Sequence, residues 1–101
     1  MDIIALEKER LEWSLRTFTE ATPMGSLQKA KEEIREIEED ITKNIKNPVE
    51  YADAIMCIFD VAARMGISAE EVMIAYEEKL TINMKRTWKK NSNNSYSHIK
   101  S

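Results

Sequence analysis

The sequence has 101 residues, of which 33% are charged and 43% hydrophobic, and this is typical of one helix-rich soluble domain. Its formal net charge of −3 gives no broad basic field, so we expect no nucleic-acid binding. Apolar runs stay well short of the roughly 20 residues of a membrane span, and the first residues lack a secretory signal pattern. Together with a single cysteine, which cannot form an internal disulfide, these features predict a cytoplasmic protein without a membrane partner.

The first half of the chain predicts two helices. Apolar residues at helical spacing predict a first helix over residues 2–19. Thr22-Pro23-Met24-Gly25-Ser26 predicts a break, because proline and glycine disfavour helix interiors. A second helix is expected from about Leu27 to Ile45, with a single apolar stripe and otherwise charged faces.

The second half predicts two more helices and a tail. Asn47-Pro48 is typical of a helix start, and the nearly apolar segment from Ala52 to Met65 predicts a buried helix that includes Cys57 in the core. Gly66 ends that helix, and Ser68-Ala-Glu-Glu71 resembles a capping box for a fourth helix reaching toward Trp88. The polar residues 89–101 predict a frayed or disordered tail, which leaves residues 1–88 as the domain.

Two acidic pairs are the strongest chemical feature of the chain. Glu33 and Glu36 fall on the second helix, and Glu50 and Asp53 fall on the third. Residues three apart share one helical face, so a helical hairpin would bring four carboxylates together. Such a cluster suits a hard divalent cation, which prefers oxygen ligands.

Each acid also has a plain structural interpretation. Glu50 could complete a cap at its helix start, and Glu33 and Glu36 could belong to a solvated acidic face. Asp53 and Asp60 lie in or beside an apolar segment, where a carboxylate is costly unless a cation or hydrogen-bond donors meet it. They are therefore either paired within the structure or turned toward a metal.

The fourth helix carries a complementary basic stripe. Lys79, Asn83 and Arg86 are spaced i, i+4, i+7, which suits the contacts of a polyphosphate; alternatively, the cations only favour the helix dipole. The aromatic residues Trp13, Phe18 and Trp88 could cover a bound nucleoside or simply belong to the core.

Taken together, these residues resemble the MazG-like all-α NTP pyrophosphatase superfamily, and most closely the small phage and bacterial dATP/dGTP diphosphohydrolases. The resemblance covers about residues 13–88. Three sets of residues carry it: the opening Trp13, Ser14, Thr17 and Phe18; the acids Glu33, Glu36, Glu50 and Asp53; and the closing Lys79, Leu80, Asn83, Arg86 and Trp88. The chain departs from the pattern at Thr19, where the family often has glycine, and at Gln28-Lys29, where it often has His-Leu.

The resemblance implies an all-α, four-helix bundle completed by dimerisation or tetramerisation. It implies hydrolysis of a nucleoside triphosphate, with a purine such as dATP or dGTP expected, to the monophosphate and pyrophosphate. The acids at 33, 36, 50 and 53 would hold Mg²⁺, for which Mn²⁺ or Co²⁺ could substitute, and Glu36 and Glu50 would take part in catalysis. Lys79, Asn83 and Arg86 would contact the phosphates, and Trp13, Phe18 or Trp88 the base or sugar.

A second hypothesis is a non-catalytic helical interaction module, such as a phage accessory protein that uses the same bundle to bind a partner. The complete set of four acids together with Lys79 and Asn83 favours the enzyme, because a degenerate relative is expected to have lost some of them.

Overall fold

Four helices and a short C-terminal hairpin make up the protein, and the computed structural model describes residues 1–100. The elements are α1 (Ile3–Thr17), α2 (Pro23–Thr42), α3 (Pro48–Arg64), α4 (Ala69–Lys85), β1 (Trp88–Lys90) and β2 (Tyr96–His98). The prediction of four helices is confirmed, and the hairpin is an addition to the predicted all-α fold. Among the described residues, no helix has both the length and the hydropathy that a membrane span requires.

Side-chain caps fix two of the helix starts where the sequence predicts them. The Oδ1 atom of Asn47 accepts a hydrogen bond from the backbone N–H of Val49 at 3.1 Å, and α3 follows with Pro48 in its first turn. The Oγ atom of Ser68 accepts from the N–H of Glu71 at 3.1 Å and caps α4. Each cap satisfies one of the donors that a helix leaves free at its N-terminus.

The predicted start of α2 at Leu27 is wrong by a full turn. Thr22 is the N-cap, and its Oγ1 accepts from the N–H of Gly25 at 3.0 Å. Pro23 occupies the first turn, where its missing N–H has no intrahelical partner to lose. The apparent break is therefore the beginning of the helix, which ends at Thr42 rather than at Ile45.

The predicted disordered tail is also wrong for the part of it that the structure describes. Strands β1 and β2 pair antiparallel, with Trp88 opposite His98, and these two rings meet edge to face at 6.1 Å. The connecting turn closes through the N–H of Asn91, which donates to the carbonyl of Ser95 at 2.7 Å. Asn94 takes a φ of 70° there, a left-handed conformation that asparagine tolerates better than most residues. Because β1 begins at Trp88, α4 ends earlier than predicted, at Lys85.

α2 and α3 form the main packing contact of the chain, but little of either is buried. Ala30 and Phe59 are the buried hydrophobic residues among those described. The prediction that α3 is a buried helix is wrong for the single chain, because Ile55, Met56 and Ile58 are 53%, 48% and 49% exposed. An apolar helix left open to this extent has a face available for another surface.

The dimensions of the chain indicate the same openness. A monomer of 11.7 kDa is expected to expose about 5,900 Å², whereas this chain exposes 8138 Å². Its radius of gyration is 16.1 Å, against about 13 Å for a compact domain of this length.

Candidate functional site

The acidic pairs meet because α2 folds back on α3 through a short turn. Asn44 takes a φ of 53° in that turn, and the N–H of Ile45 donates to the carbonyl of Asp40 at 2.8 Å. The turn and the cap on α3 set the middle of α2 beside the first turns of α3.

Three carboxylates converge at this contact. Glu33, Glu50 and Asp53 each offer one oxygen, and these oxygens lie within 4.8 Å of one another. Glu33 is only 5% exposed, and the other two residues are half-buried. The Oε2 atoms of Glu33 and Glu50 are buried and have no hydrogen-bond partner.

This donor set fits a divalent metal ion. Buried carboxylate oxygens without donors are unfavourable, and several crowded anions repel one another at short range. A hard cation would supply the missing partner and offset the repulsion, because Mg²⁺ and similar ions bind carboxylate oxygens. The residues present therefore fit a divalent cation.

Glu36, the fourth predicted acid, lies beside this group but is exposed. The neighbouring carboxyl group of Glu50 raises the pKa of Glu36 above its ordinary value. Burial raises the pKa of Glu33, and its interaction with Glu36 adds to the effect. The nearest cation is Lys29, whose exposed Nζ lies 3.4 Å from Oε1 of Glu33.

A cavity of about 590 Å³ opens beside the acids and shares Glu33 and Asp53 with them. Trp13 and Phe18 form an aromatic wall, with their rings edge to face at 5.3 Å. The remaining lining residues are Arg10, Ser14, Ala21, Gly25, Ser26, Lys29, Met56, Cys57 and Asp60. Cys57, which was predicted to lie in the core, is half-buried in this lining instead.

Asp60 is paired within the structure, so of the two interpretations that the sequence left open, a structural partner or a metal, the first is correct for Asp60. Its four side-chain partners are Ser14 (2.9 Å) and Arg10 (2.9 Å) on Oδ1, and Ser26 (2.7 Å) and Arg64 (2.8 Å) on Oδ2. Burial alone would raise the pKa of Asp60, but hydrogen bonds from these four donors outweigh it and hold the pKa well below its usual range.

The sequence interpretation missed Arg10, Ser26, Lys29 and Arg64 as residues of this region. Arg64 had a signal, since it stands four residues after Asp60 on one helix, a spacing that favours an ion pair. Lys29 had the same signal, since it stands four residues before Glu33 on α2. Arg10 and Ser26 meet Asp60 from α1 and α2, and no local pattern marks these contacts.

The basic stripe of α4 is not brought to the acids within one chain. Lys79, Asn83, Arg86 and Trp88 are absent from the cavity lining among the described residues. Arg86 follows the end of the helix in an extended conformation, so the predicted stripe is broken at its last member. Trp88 donates its indole N–H to the carbonyl of Asn83 at 3.0 Å, which ties the hairpin to α4.

Comparison with known sequences gives consistent matches. A sequence model of the family described as dATP/dGTP pyrophosphohydrolase matches residues 6–101. The dATP/dGTP diphosphohydrolase of Cyanophage S-2L is 29% identical over 97 residues, which are 96% of this chain and 88% of that protein. A protein of the same name from Salmonella phage PMBT28 is 28% identical over 87 residues, 86% of this chain and 28% of that protein. The Eaa protein of Salmonella phage P22 is 37% identical over 83 residues, 82% of this chain and 25% of that protein. The chain thus spans about a quarter of the length of the two Salmonella phage relatives.

A solved structure matches over the whole fold. It is the Cyanophage S-2L MazG-like pyrophosphohydrolase bound to dGDP and three catalytic Mn²⁺ ions per active site. The TM-score is 0.82 at 28% sequence identity, and the match covers 100% of this chain and 96% of that one.

Proposed function

Because this chain belongs to the dATP/dGTP pyrophosphohydrolase family, we propose that it hydrolyses a purine deoxynucleoside triphosphate, dATP or dGTP, to the monophosphate and pyrophosphate. The reaction takes place at the cluster of Glu33, Glu36, Glu50 and Asp53. One observation carries the proposal: three carboxylate oxygens lie within 4.8 Å, and two oxygens of the same residues are buried without a partner.

Glu33, Glu50 and Asp53 would hold the divalent cation, and Mg²⁺ is the ion that we expect, with Mn²⁺ or Co²⁺ able to replace it. Such a cation offsets the negative charge of the phosphates and makes a water molecule more acidic. The Cyanophage S-2L structure, which binds three catalytic Mn²⁺ ions per active site, supports a divalent metal of this kind.

We assign to Glu36 and Glu50 the removal of a proton from the attacking water molecule. Glu36 is exposed at the edge of the cluster, so its carboxylate can hydrogen-bond to a water molecule that approaches from solvent. Its raised pKa indicates a group that accepts a proton more readily than an ordinary glutamate. Glu50 lies beside Glu36, and its carboxyl would help to orient that of Glu36.

The nucleoside would occupy the cavity next to the cluster. Its volume of about 590 Å³ lies within the range of roughly 300–1,000 Å³ usual for ligand pockets. Trp13 and Phe18 are 50% and 48% exposed, so their rings are open to a planar base. Trp88 already contacts His98 in the hairpin and the Asn83 carbonyl of α4, so we propose no contact between Trp88 and the base.

We also propose that the working form is a homodimer or homotetramer. The surplus exposed area, on the order of 2,000 Å² per chain, matches what an obligate homodimer buries. α4 has no buried residue along its described length, and it carries Lys79 and Asn83. A second copy that covers the open faces of α3 and α4 would complete the bundle, and Lys79, Asn83 and Arg86 of one copy could then contact phosphates held by the other.

Pyrophosphate release from dATP, dGTP, dCTP and dTTP, with and without Mg²⁺, tests the proposed reaction. Glu50→Gln and Asp53→Asn should each reduce turnover by at least about 100-fold while the circular dichroism spectrum stays helical. Glu38→Gln is the matched control, because Glu38 is an exposed acid on the same helix as Glu33.

Full activity in either cluster variant would overturn the site. A stable wild-type fold without turnover on any nucleotide, and without a rise in melting temperature on adding metal, would instead support the non-catalytic interaction module.

A further inference from the structure

Asp60 joins three helices at one carboxylate. Ser14 and Arg10 reach it from α1, Ser26 reaches it from α2, and Arg64 lies on α3 with Asp60 itself. Ser14 is 1% exposed and Asp60 8%, so these hydrogen bonds are shielded from water and correspondingly strong.

The same contact fixes both residues of the aromatic wall. Ser14 directly follows Trp13, and its Oγ donates to Asp60 while it accepts from Nη2 of Arg64 at 3.0 Å. Arg64 also donates from Nη1 to the carbonyl of Ala21 at 3.2 Å, which holds the loop that begins at Phe18. Removal of the Asp60 charge would loosen both attachments at once.

Asp60 lies away from the metal cluster on the same face of α3. Asp53 and Asp60 are seven residues apart, which is about 10 Å along a helix, and both line the cavity. The phosphates and the nucleoside of one bound nucleotide would thus approach α3 at different positions along its axis.

We propose that Asp60 is a positioning residue for the nucleoside: through Ser14 and Arg64 it sets the Trp13–Phe18 wall relative to the acids that hold the metal. This inference rests on the proposed function. It assigns to Asp60 a part in nucleotide affinity and none in metal binding or in the chemical step.

Steady-state kinetics of Asp60→Asn and of the milder Ser14→Ala test the inference, with Mn²⁺ affinity measured by calorimetry in the absence of nucleotide. Loss of hydrogen bonds to a charged group should raise KM about tenfold in Asp60→Asn and by a smaller factor in Ser14→Ala. In both variants kcat should stay within about twofold and Mn²⁺ affinity should be unchanged. Asp2→Asn is the matched control, since asparagine keeps the helix cap that Asp2 provides.

An unchanged KM in both variants, or a parallel loss of kcat and Mn²⁺ affinity in Ser14→Ala, would overturn the positioning role. If Asp60→Asn does not fold, Ser14→Ala decides the question alone. If the wild-type chain releases no pyrophosphate, the proposed function fails by itself. Calorimetric binding of dGTP then replaces KM, and equal dGTP affinity in the wild type and in Ser14→Ala would overturn the inference.

Discussion

Glu33 and Asp60 are both buried carboxylates on the wall of one cavity, yet the groups that face them differ in charge. Asp60 receives hydrogen bonds from two guanidinium groups and two hydroxyls. Glu33 faces Glu50 and Asp53, and its Oε2 has no donor. The free energy of burying a charge depends on such neighbours. Protein groups therefore compensate Asp60, whereas Glu33 has the exposed Lys29 beside it and fits a bound cation.

This difference predicts that metal raises the melting temperature of the wild type but not that of Glu33→Gln. Glu33→Gln removes one of the crowded charges, so without metal it should raise the melting temperature by about 2–5 °C. Mg²⁺ or Mn²⁺ should then stabilise the wild type and leave Glu33→Gln nearly unchanged, because a ligand stabilises only the fold that binds it. Differential scanning fluorimetry with Glu38→Gln as control measures both effects. A metal-dependent rise of equal size in Glu33→Gln would contradict the assignment of Glu33 as a ligand.

Asp60 predicts a dependence of stability on pH. Its pKa is lowered in the folded protein, so its ionised form contributes stability that is present above the ordinary aspartate pKa of about 3.9. That contribution is lost as pH falls below this value toward the folded pKa. The melting temperature of Asp60→Asn should therefore lie below that of the wild type at about pH 6, and the gap should narrow toward about pH 2. A gap that stays constant over this range would show that the folded protein does not lower the pKa of Asp60.

The sequence predicts the acids far better than it predicts the partners of Asp60. Glu50 and Asp53 share a face through local helical spacing, and one short turn brings Glu33 to them. Ser14 and Ser26 are 46 and 34 residues from Asp60 in sequence. Periodicity within either helix does not predict which serine contacts which acid. The sequence therefore does not decide whether Asp60 pairs with protein groups or with a metal.

Helix ends follow from single capping residues more than from apolar periodicity. Thr22 caps α2 although the proline and glycine that follow it predict a break in the helix. At Asn47 and Ser68, by contrast, the capping residue and the apolar periodicity predict the same helix start. The C-terminal hairpin could not be predicted from the sequence, because its strands have three residues each and are largely exposed. Neither strand therefore buries an alternating face.

The cap on α2 can be tested by itself. Thr22→Ala leaves the N–H of Gly25 without its 3.0 Å partner and should lower the free energy of unfolding by about 1 kcal/mol. Thr22→Ser keeps an oxygen in the same place and should restore most of the loss. Urea denaturation followed by circular dichroism measures both variants. Equal stability of Thr22→Ala and the wild type would show that the predicted break, and not the threonine, decides where α2 begins.

On the scale of the whole molecule, the chain has more apolar surface than its own core can use. Ile55 and Ile58 on α3 and Leu80 and Ile82 on α4 are each about half exposed. A second cavity of about 600 Å³, lined in part by Ile3, Leu6 and Ile55, opens between α1 and α3. These surfaces lie on three helices, so a single partner helix would not cover them and a second complete bundle is the better match.

Association of this kind predicts a mass and a way to change it. The wild-type chain should have at least twice the 11.7 kDa of one copy in light scattering at micromolar concentration, because an interface of about 2,000 Å² or more is typical of obligate homodimers. Ile58→Glu places a charge on the exposed face of α3 outside both cavities, where burial against a second copy would leave it unpaired. It should therefore shift the population to monomers and lower the melting temperature, whereas Gln28→Glu, which adds the same charge at an exposed polar position, should do neither. A wild-type mass of one copy would contradict the proposed homo-oligomer, and it would remove the route by which Lys79 and Asn83 are proposed to reach the phosphates.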